Sequence, residues 1–136
     1  MKKILLLAFF SAASFIQAVS VDSVEQVLSL LKLGNYQEAF EILTDRLYKS
    51  EADEYLYLQG ALYEKQDDYL HAAELYQKIT DKGGSDYREI SLFRLIVCRD
   101  MKKQYSEAAS LIREFLKTYP KSKYVGLLEK RLKEIV

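Results

Sequence analysis

The sequence predicts an all-α chain of stacked helical pairs, and three observations predict it. Asn35-Tyr36-Gln37-Glu38-Ala39, Asp68-Tyr69-Leu70-His71-Ala72 and Gln104-Tyr105-Ser106-Glu107-Ala108 are near copies of one another, each placed where an amphipathic helix should begin. Their tyrosines recur after 33 and 36 residues, a period typical of helix–turn–helix repeats. One Pro and five Gly among 136 residues leave long stretches free of helix breakers, rich in the Leu, Ala, Glu, Lys and Gln that favour helix. No convincing run of strand-like alternation competes with this pattern. The hydrophobic fraction of 49% is that of a folded chain, and the length predicts one domain.

The first residues differ in kind. Met1-Lys2-Lys3 gives a basic start, Ile4 to Phe10 is an unbroken apolar run, and Gln17-Ala18 ends it near a small residue. That order describes a secretory signal peptide over residues 1–18, with cleavage expected after Ala18. The apolar run is short of the ~20 residues of a membrane span, so an uncleaved anchor is the alternative, and no later segment is expected to cross a membrane. The whole chain is formally neutral, with 20 basic and 20 acidic residues. Losing residues 1–18 removes Lys2 and Lys3 and leaves a slight acidic excess. Nucleic-acid binding is not expected from such a balance. Cys98, the only cysteine, can form no internal disulfide, and its apolar surroundings at 92–98 predict a buried structural thiol.

The helices follow in order. Val24, Val27, Leu28, Leu30, Leu31 and Leu33 make a first helix that is apolar on more than one side, and Gly34-Asn35 turns it. Tyr36, Ala39, Phe40, Leu43 and Leu47 carry the next. In the second pair, Leu56, Gly60 and Tyr63 share one face, and Gly60 lets a neighbouring helix come close. Gln66-Asp67-Asp68 is a polar turn. Tyr69, Ala72, Ala73, Tyr76 and Ile79 face inward on the following helix, which Lys82-Gly83-Gly84-Ser85 ends. The third pair repeats this, with Leu92, Leu95, Ile96 and Arg99, then a turn at Lys102-Lys103-Gln104, then Tyr105, Ala108, Ala109, Leu111, Ile112 and Phe115. Tyr119-Pro120 stops it. Tyr124, Leu128, Leu132 and Ile135, with Leu127 beside them, give a last amphipathic helix whose charged remainder suits a cap.

Gly60/Tyr63 with Tyr69/Ala72, together with Ala39, Ala108 and Pro120, resembles the tetratricopeptide repeat. The resemblance covers about residues 20–120 and implies three such repeats (20–52, 53–87 and 88–121), a capping helix at 122–136 and a right-handed solenoid over 19–136. The chain departs from the pattern at the bulky first aromatic, where Ser23, Leu56 and Leu92 stand, and at the small residue of the first helix, where Val27 and Ile96 stand. The stretch from Phe115 to Tyr124 is similar to the F-x-x-x-Y-P-x-S-x-Y joint of exported bacterial envelope repeats, among them those of the Tol-Pal coordinator and of the barrel-assembly lipoprotein. With the signal peptide, this implies a periplasmic location.

No catalytic set is visible. His71 is the only histidine and is expected on the surface. Asp67-Asp68 is a turn rather than an acid–base dyad, and Gly83-Gly84 lacks the flanks of a phosphate loop. The lysines of the last helix are interrupted by Glu129 and Glu134, as in a solvated face. No enzyme activity, cofactor or metal is expected. In stacked pairs the first helices line a concave face. The residues expected to point into it are Val24, Leu28 and Leu31, then Tyr57, Ala61 and Glu64, then Phe93, Val97 and Asp100. This stripe is mostly apolar with carboxylates at its edge, which suits a protein or peptide partner; the same side chains could instead thicken the core between repeats. The sequence therefore predicts a non-catalytic adaptor. A homodimer through the first repeat is a second expectation, and a secretion-type chaperone a third.

Overall fold

The computed structural model describes residues 25–47 and 53–136. The signal segment and Val24 lie outside the described residues, as do the side chains of residues 44–47. The chain divides into two compact units between Tyr48 and Lys49. Every regular element among the described residues is a helix, and none of them is long and apolar enough to cross a membrane.

The first unit holds one helical hairpin: α1 over residues 25–33 and α2 over Tyr36–Leu47. Val27, Leu30, Leu31, Ala39 and Leu43 are buried. Leu28 and Leu33 are not, which leaves α1 with apolar side chains facing water on a second side.

The second unit contains α3 (Asp53–Lys65), α4 (Tyr69–Lys82), α5 (Arg88–Met101), α6 (Tyr105–Thr118) and α7 (Val125–Ile135). Each packs on the next in chain order, the sign of a quasi-one-dimensional repeat stack. Ala72, Ala73, Tyr76, Leu92, Leu95, Ile96, Ile112, Phe115 and Leu128 form its continuous core.

One turn is built three times. Gly34, Asp67 and Lys103 each take a left-handed backbone, with φ of 78°, 58° and 58°. At each, the following N–H reaches the carbonyl five residues back: Asn35 to Leu30, Asp68 to Tyr63 and Gln104 to Arg99, all at 2.9 Å. This is the Schellman closure of a helix C-terminus. The next helix then starts with Ala39, Ala72 and Ala108 donating to the carbonyls of Asn35, Asp68 and Gln104. Only the first copy uses Gly, the residue for which positive φ carries no Cβ penalty. Asp68 caps α4 by accepting from the His71 N–H at 3.2 Å, and its Oδ2 also meets His71 Nδ1 at 2.7 Å. That bond to the ring is the main cause holding the Asp68 carboxyl below its ordinary pKa.

The recurrent Tyr and Ala do different jobs. All three alanines have no exposed surface. The tyrosines, expected to face inward beside them, instead sit at the rim: Tyr36 and Tyr69 are half-buried and Tyr105 is exposed. A phenol at a helix start can cover the core with its ring while its hydroxyl stays wet. Leu127, expected beside the inner face of α7, is 59% exposed. At 100° per residue it lies well away from Leu128 and Leu132, which the helix turns toward α6.

Gly60 meets its expectation. A Cβ there would lie 2.7 Å from Cε1 of Tyr76, so α4 approaches α3 at a distance that only glycine permits.

Candidate functional site

In the second unit the first helices of successive pairs are joined by a set of contacts that occurs twice. Late in α3, Glu64 accepts from Arg94 Nε of α5 at 3.0 Å and forms an ion pair with the same guanidinium. One repeat later, Asp100 of α5 is gripped by both Nε and Nη2 of Arg131 on α7, each at 2.7 Å. Two parallel N–H···O bonds of this kind fix orientation as well as charge. The Tyr76 hydroxyl donates to Glu64 Oε2 at 3.0 Å, which ties α4 into the first of these links.

An aromatic pair accompanies each link. Tyr57 of α3 packs on Tyr87, just before α5, with ring centroids 5.5 Å apart. Phe93 of α5 stacks on Tyr124, just before α7, at 3.9 Å and 11°. Both later tyrosines are set by the same local device: the N–H of Tyr87 donates to Ser85 Oγ at 3.1 Å, and that of Tyr124 to Ser122 Oγ at 3.2 Å. A Ser hydroxyl taking an N–H two residues on turns the backbone tightly, and here it aims the Tyr back at the preceding first helix. Arg94 lies over the Phe93 ring and Lys123 over the Tyr124 ring, at 5.8 Å and 5.2 Å, so a cation covers each ring of the stacked pair.

Burial is the leading cause that raises the pKa of Tyr57, Tyr76 and Tyr87 above that of a free phenol. The Asp100 hydrogen bonds are the leading cause for Arg131. All four groups therefore keep one protonation state across neutral pH.

The residues expected to line the partner face are distributed as follows. Val24 is outside the described residues. Leu28 is 40% exposed and Leu31 is buried, both in the first unit. Tyr57, Ala61 and Val97 are half-buried on α3 and α5. Phe93 is 6% exposed and spent on its stack with Tyr124. Glu64 and Asp100 are both held by arginines from the next first helix. The carboxylates of the stripe are thus already neutralised from within the stack, and what remains for a partner on α3 and α5 is small and apolar.

The Arg94 and Arg131 links were not anticipated, nor was the aromatic joint at Ser85-x-Tyr87. The signal for the joint was present in the chain, because Ser85-x-Tyr87 and Ser122-x-Tyr124 are one motif at the repeat spacing.

Other candidate groups are structural. His71 is exposed and stacks on Tyr63 at 5.2 Å. Cys98 is buried, and burial pushes its thiol up to about 11. Among the described residues, no group of three or more His, Cys, Asp or Glu side chains could hold a metal ion.

Residues 91–122, which run from α5 through the joint at Ser122, match the family model of the tetratricopeptide repeat. No curated protein and no solved structure matches the chain. The match covers a single repeat; with the Schellman turn built three times and the joint built twice, it supports an all-α stack of helical pairs similar to the tetratricopeptide repeat, whose family generally serves as a non-enzymatic scaffold for protein interactions.

Proposed function

We propose that the chain is a non-catalytic adaptor of the bacterial cell envelope, exported by its N-terminal segment, that holds a segment of another protein along the face carried by α3 and α5. The observation that carries this reading is the double link Glu64–Arg94 and Asp100–Arg131. It locks successive first helices to each other without using Ala61 or Val97. A rigid face binds with a smaller ordering cost than a mobile one. The row of half-buried apolar groups offers contact area, at ~1.5–3 kcal/mol for each fully buried large side chain.

The test is capture of envelope proteins by the chain and by the double variant Ala61→Arg with Val97→Arg. These positions are half-buried and take no part in the links, so the substitutions obstruct the face while the joints persist. Circular dichroism verifies that the helices remain. Loss of capture with the helices intact supports the reading, and undiminished capture refutes it. Tyr57→Ala and Phe93→Ala are poorer probes, because both rings are engaged inside the stack.

A second reading, self-association through the first repeat, draws on the exposed Leu28 and Leu33 of α1. A monomeric mass in sedimentation at high concentration, unchanged by Leu28→Asp, removes it.

A further inference from the structure

The second unit is electrically lopsided. Residues 53–101 carry ten carboxylates against six basic side chains, whereas residues 102–136 carry nine basic side chains against four carboxylates. The excess on the later half gathers on the joint before α7 and on α7 itself. Lys121, Lys123, Lys130 and Lys133 are all exposed, and among the described residues none is in an ion pair. The acids on the apolar face are spoken for, since Glu64 and Asp100 are held by Arg94 and Arg131, and Glu134 by Arg131. Glu129 of α7 is exposed and, among the described residues, in no ion pair, so it offsets one of the four lysines, and the charge left at that end of the face is still positive.

The two links place that end in register. Arg94 and Arg131 occupy equivalent positions, each reaching back to the acid of the preceding first helix. On the same spacing Lys130 of α7 stands where Phe93 stands on α5 and Tyr57 nearly stands on α3. The face thus runs from half-buried apolar groups on α3 and α5 to Lys130 on α7, with Glu134, held by Arg131, in register with Val97. A row of this kind matches a chain-like occupant lying along it better than a flat surface laid against one end.

We infer that the segment bound by this unit is an acidic peptide of mixed character: its apolar part lies over Tyr57, Ala61 and Val97, and its carboxylates lie over α7 and are met by Lys130, with Lys123 and Lys133 adding field. This deepens the adaptor reading and rests on it. Charge complementarity of this sort sets the direction of the bound chain and excludes basic partners more than it adds raw affinity. It also weakens with salt, since exposed charges are screened over ~10 Å at 0.1 M.

Three labelled synthetic peptides test the inference. They share one apolar half and carry a glutamate-rich, a serine-rich or a lysine-rich second half. Fluorescence anisotropy reads their binding to the full chain, to Lys130→Glu with Lys133→Glu, and to Ala61→Arg with Val97→Arg. The glutamate peptide is expected to bind about tenfold more tightly than the serine peptide at low salt, and the lysine peptide most weakly, as for a charge-steered interface. Lys130→Glu with Lys133→Glu should reverse the order of glutamate and lysine peptides, and the Ala61/Val97 variant should weaken all three. Equal binding of the glutamate and serine peptides overturns this inference and leaves the adaptor reading standing. Binding of none of the three overturns both. Vesicles of phosphatidylglycerol and phosphatidylcholine provide the remaining arm. If they bind the chain, lose it on lysine reversal, and the glutamate peptide shows no preference, the lysines serve a lipid surface and the inference falls.

Discussion

Replacing Gly60 by Ala should destabilise the second unit, although Ala is the better helix former. The added Cβ would lie 2.7 Å from Cε1 and 2.9 Å from Cζ of Tyr76, well inside the ~3.5 Å of ordinary carbon–carbon contact. The ring has little freedom to retreat. It has no exposed surface, packs on Tyr57 at 5.8 Å, and donates its hydroxyl to Glu64, which Arg94 also holds. Relief therefore means moving α4 away from α3 or breaking the hydrogen bond. Overpacking of this kind costs ~1–3 kcal/mol, against a gain of ~1 kcal/mol in helix propensity. The expected net loss is about 1 kcal/mol, from the difference of those two effects. Gly126 is the internal control, because a Cβ there meets nothing within 4 Å, and Gly126→Ala should be neutral to stabilising by up to ~1 kcal/mol. Urea unfolding followed at 222 nm measures both. In a Tyr76→Leu background the Gly60→Ala penalty should shrink or change sign, which makes the cycle a direct reading of the contact. Stabilisation of the wild-type background by Gly60→Ala, to the degree seen at Gly126, would show that the close approach of α4 does not require glycine.

Three further outcomes are expected. Lys103→Gly should stabilise by ~0.5–1 kcal/mol in thermal melts, because a left-handed backbone at φ 58° strains a side chain that has no local bond to offset it; a lowered melting temperature would contradict this. Ser91 is fully buried and its Oγ has no hydrogen-bond partner, so Ser91→Ala should raise the urea midpoint by an amount equivalent to ~1 kcal/mol. The Cys98 thiol, pushed up to about 11 by burial, should resist thiol reagents at pH 8 until the chain is unfolded. Its folded pKa exceeds the ~8.5 of an unfolded cysteine, so its contribution to stability is whole below that value and is lost as pH rises toward 11; urea midpoints from pH 8 to 10 should fall less in Cys98→Ala than in the parent.

Much of the architecture was legible because it is local. A helix face repeats every three or four residues, and a Schellman turn occupies six, so Leu56, Gly60, Ala72 and the turns at Gly34, Asp67 and Lys103 leave their marks in adjacent letters. The partner face was less legible, because it depends on side chains that meet across a whole repeat. Glu64 and Asp100 look like free carboxylates until Arg94 and Arg131, one repeat away, arrive beside them. Phe93 looks like an anchor for a partner until Ser122 turns Tyr124 onto it. Tyr105 looked like core from its distance to Ala108, yet a tyrosine in the first turn of a helix has water within reach of its ring, and the ring lies instead at 6.0 Å from the Arg131 guanidinium.

The joint between first helices also has a direction. Each carries its acid near its end and receives an arginine from the helix of the next repeat, never from the one before. On α7 the places held on α5 by the buried Leu92 and Ile96 are taken by Glu129 and Lys133, so α7 accepts the plug of the stack and offers no seat for a second helix of its own. The unit is therefore lengthened in whole steps. A second copy of residues 88–124 placed between Tyr124 and Val125 would present Arg94 to the existing Asp100 and a new Asp100 to Arg131, with a Ser-x-Tyr joint at each junction. Its acid-and-arginine key also keeps such copies in order, because a repeat inserted backwards or out of phase would bury an acid with no cation to meet it.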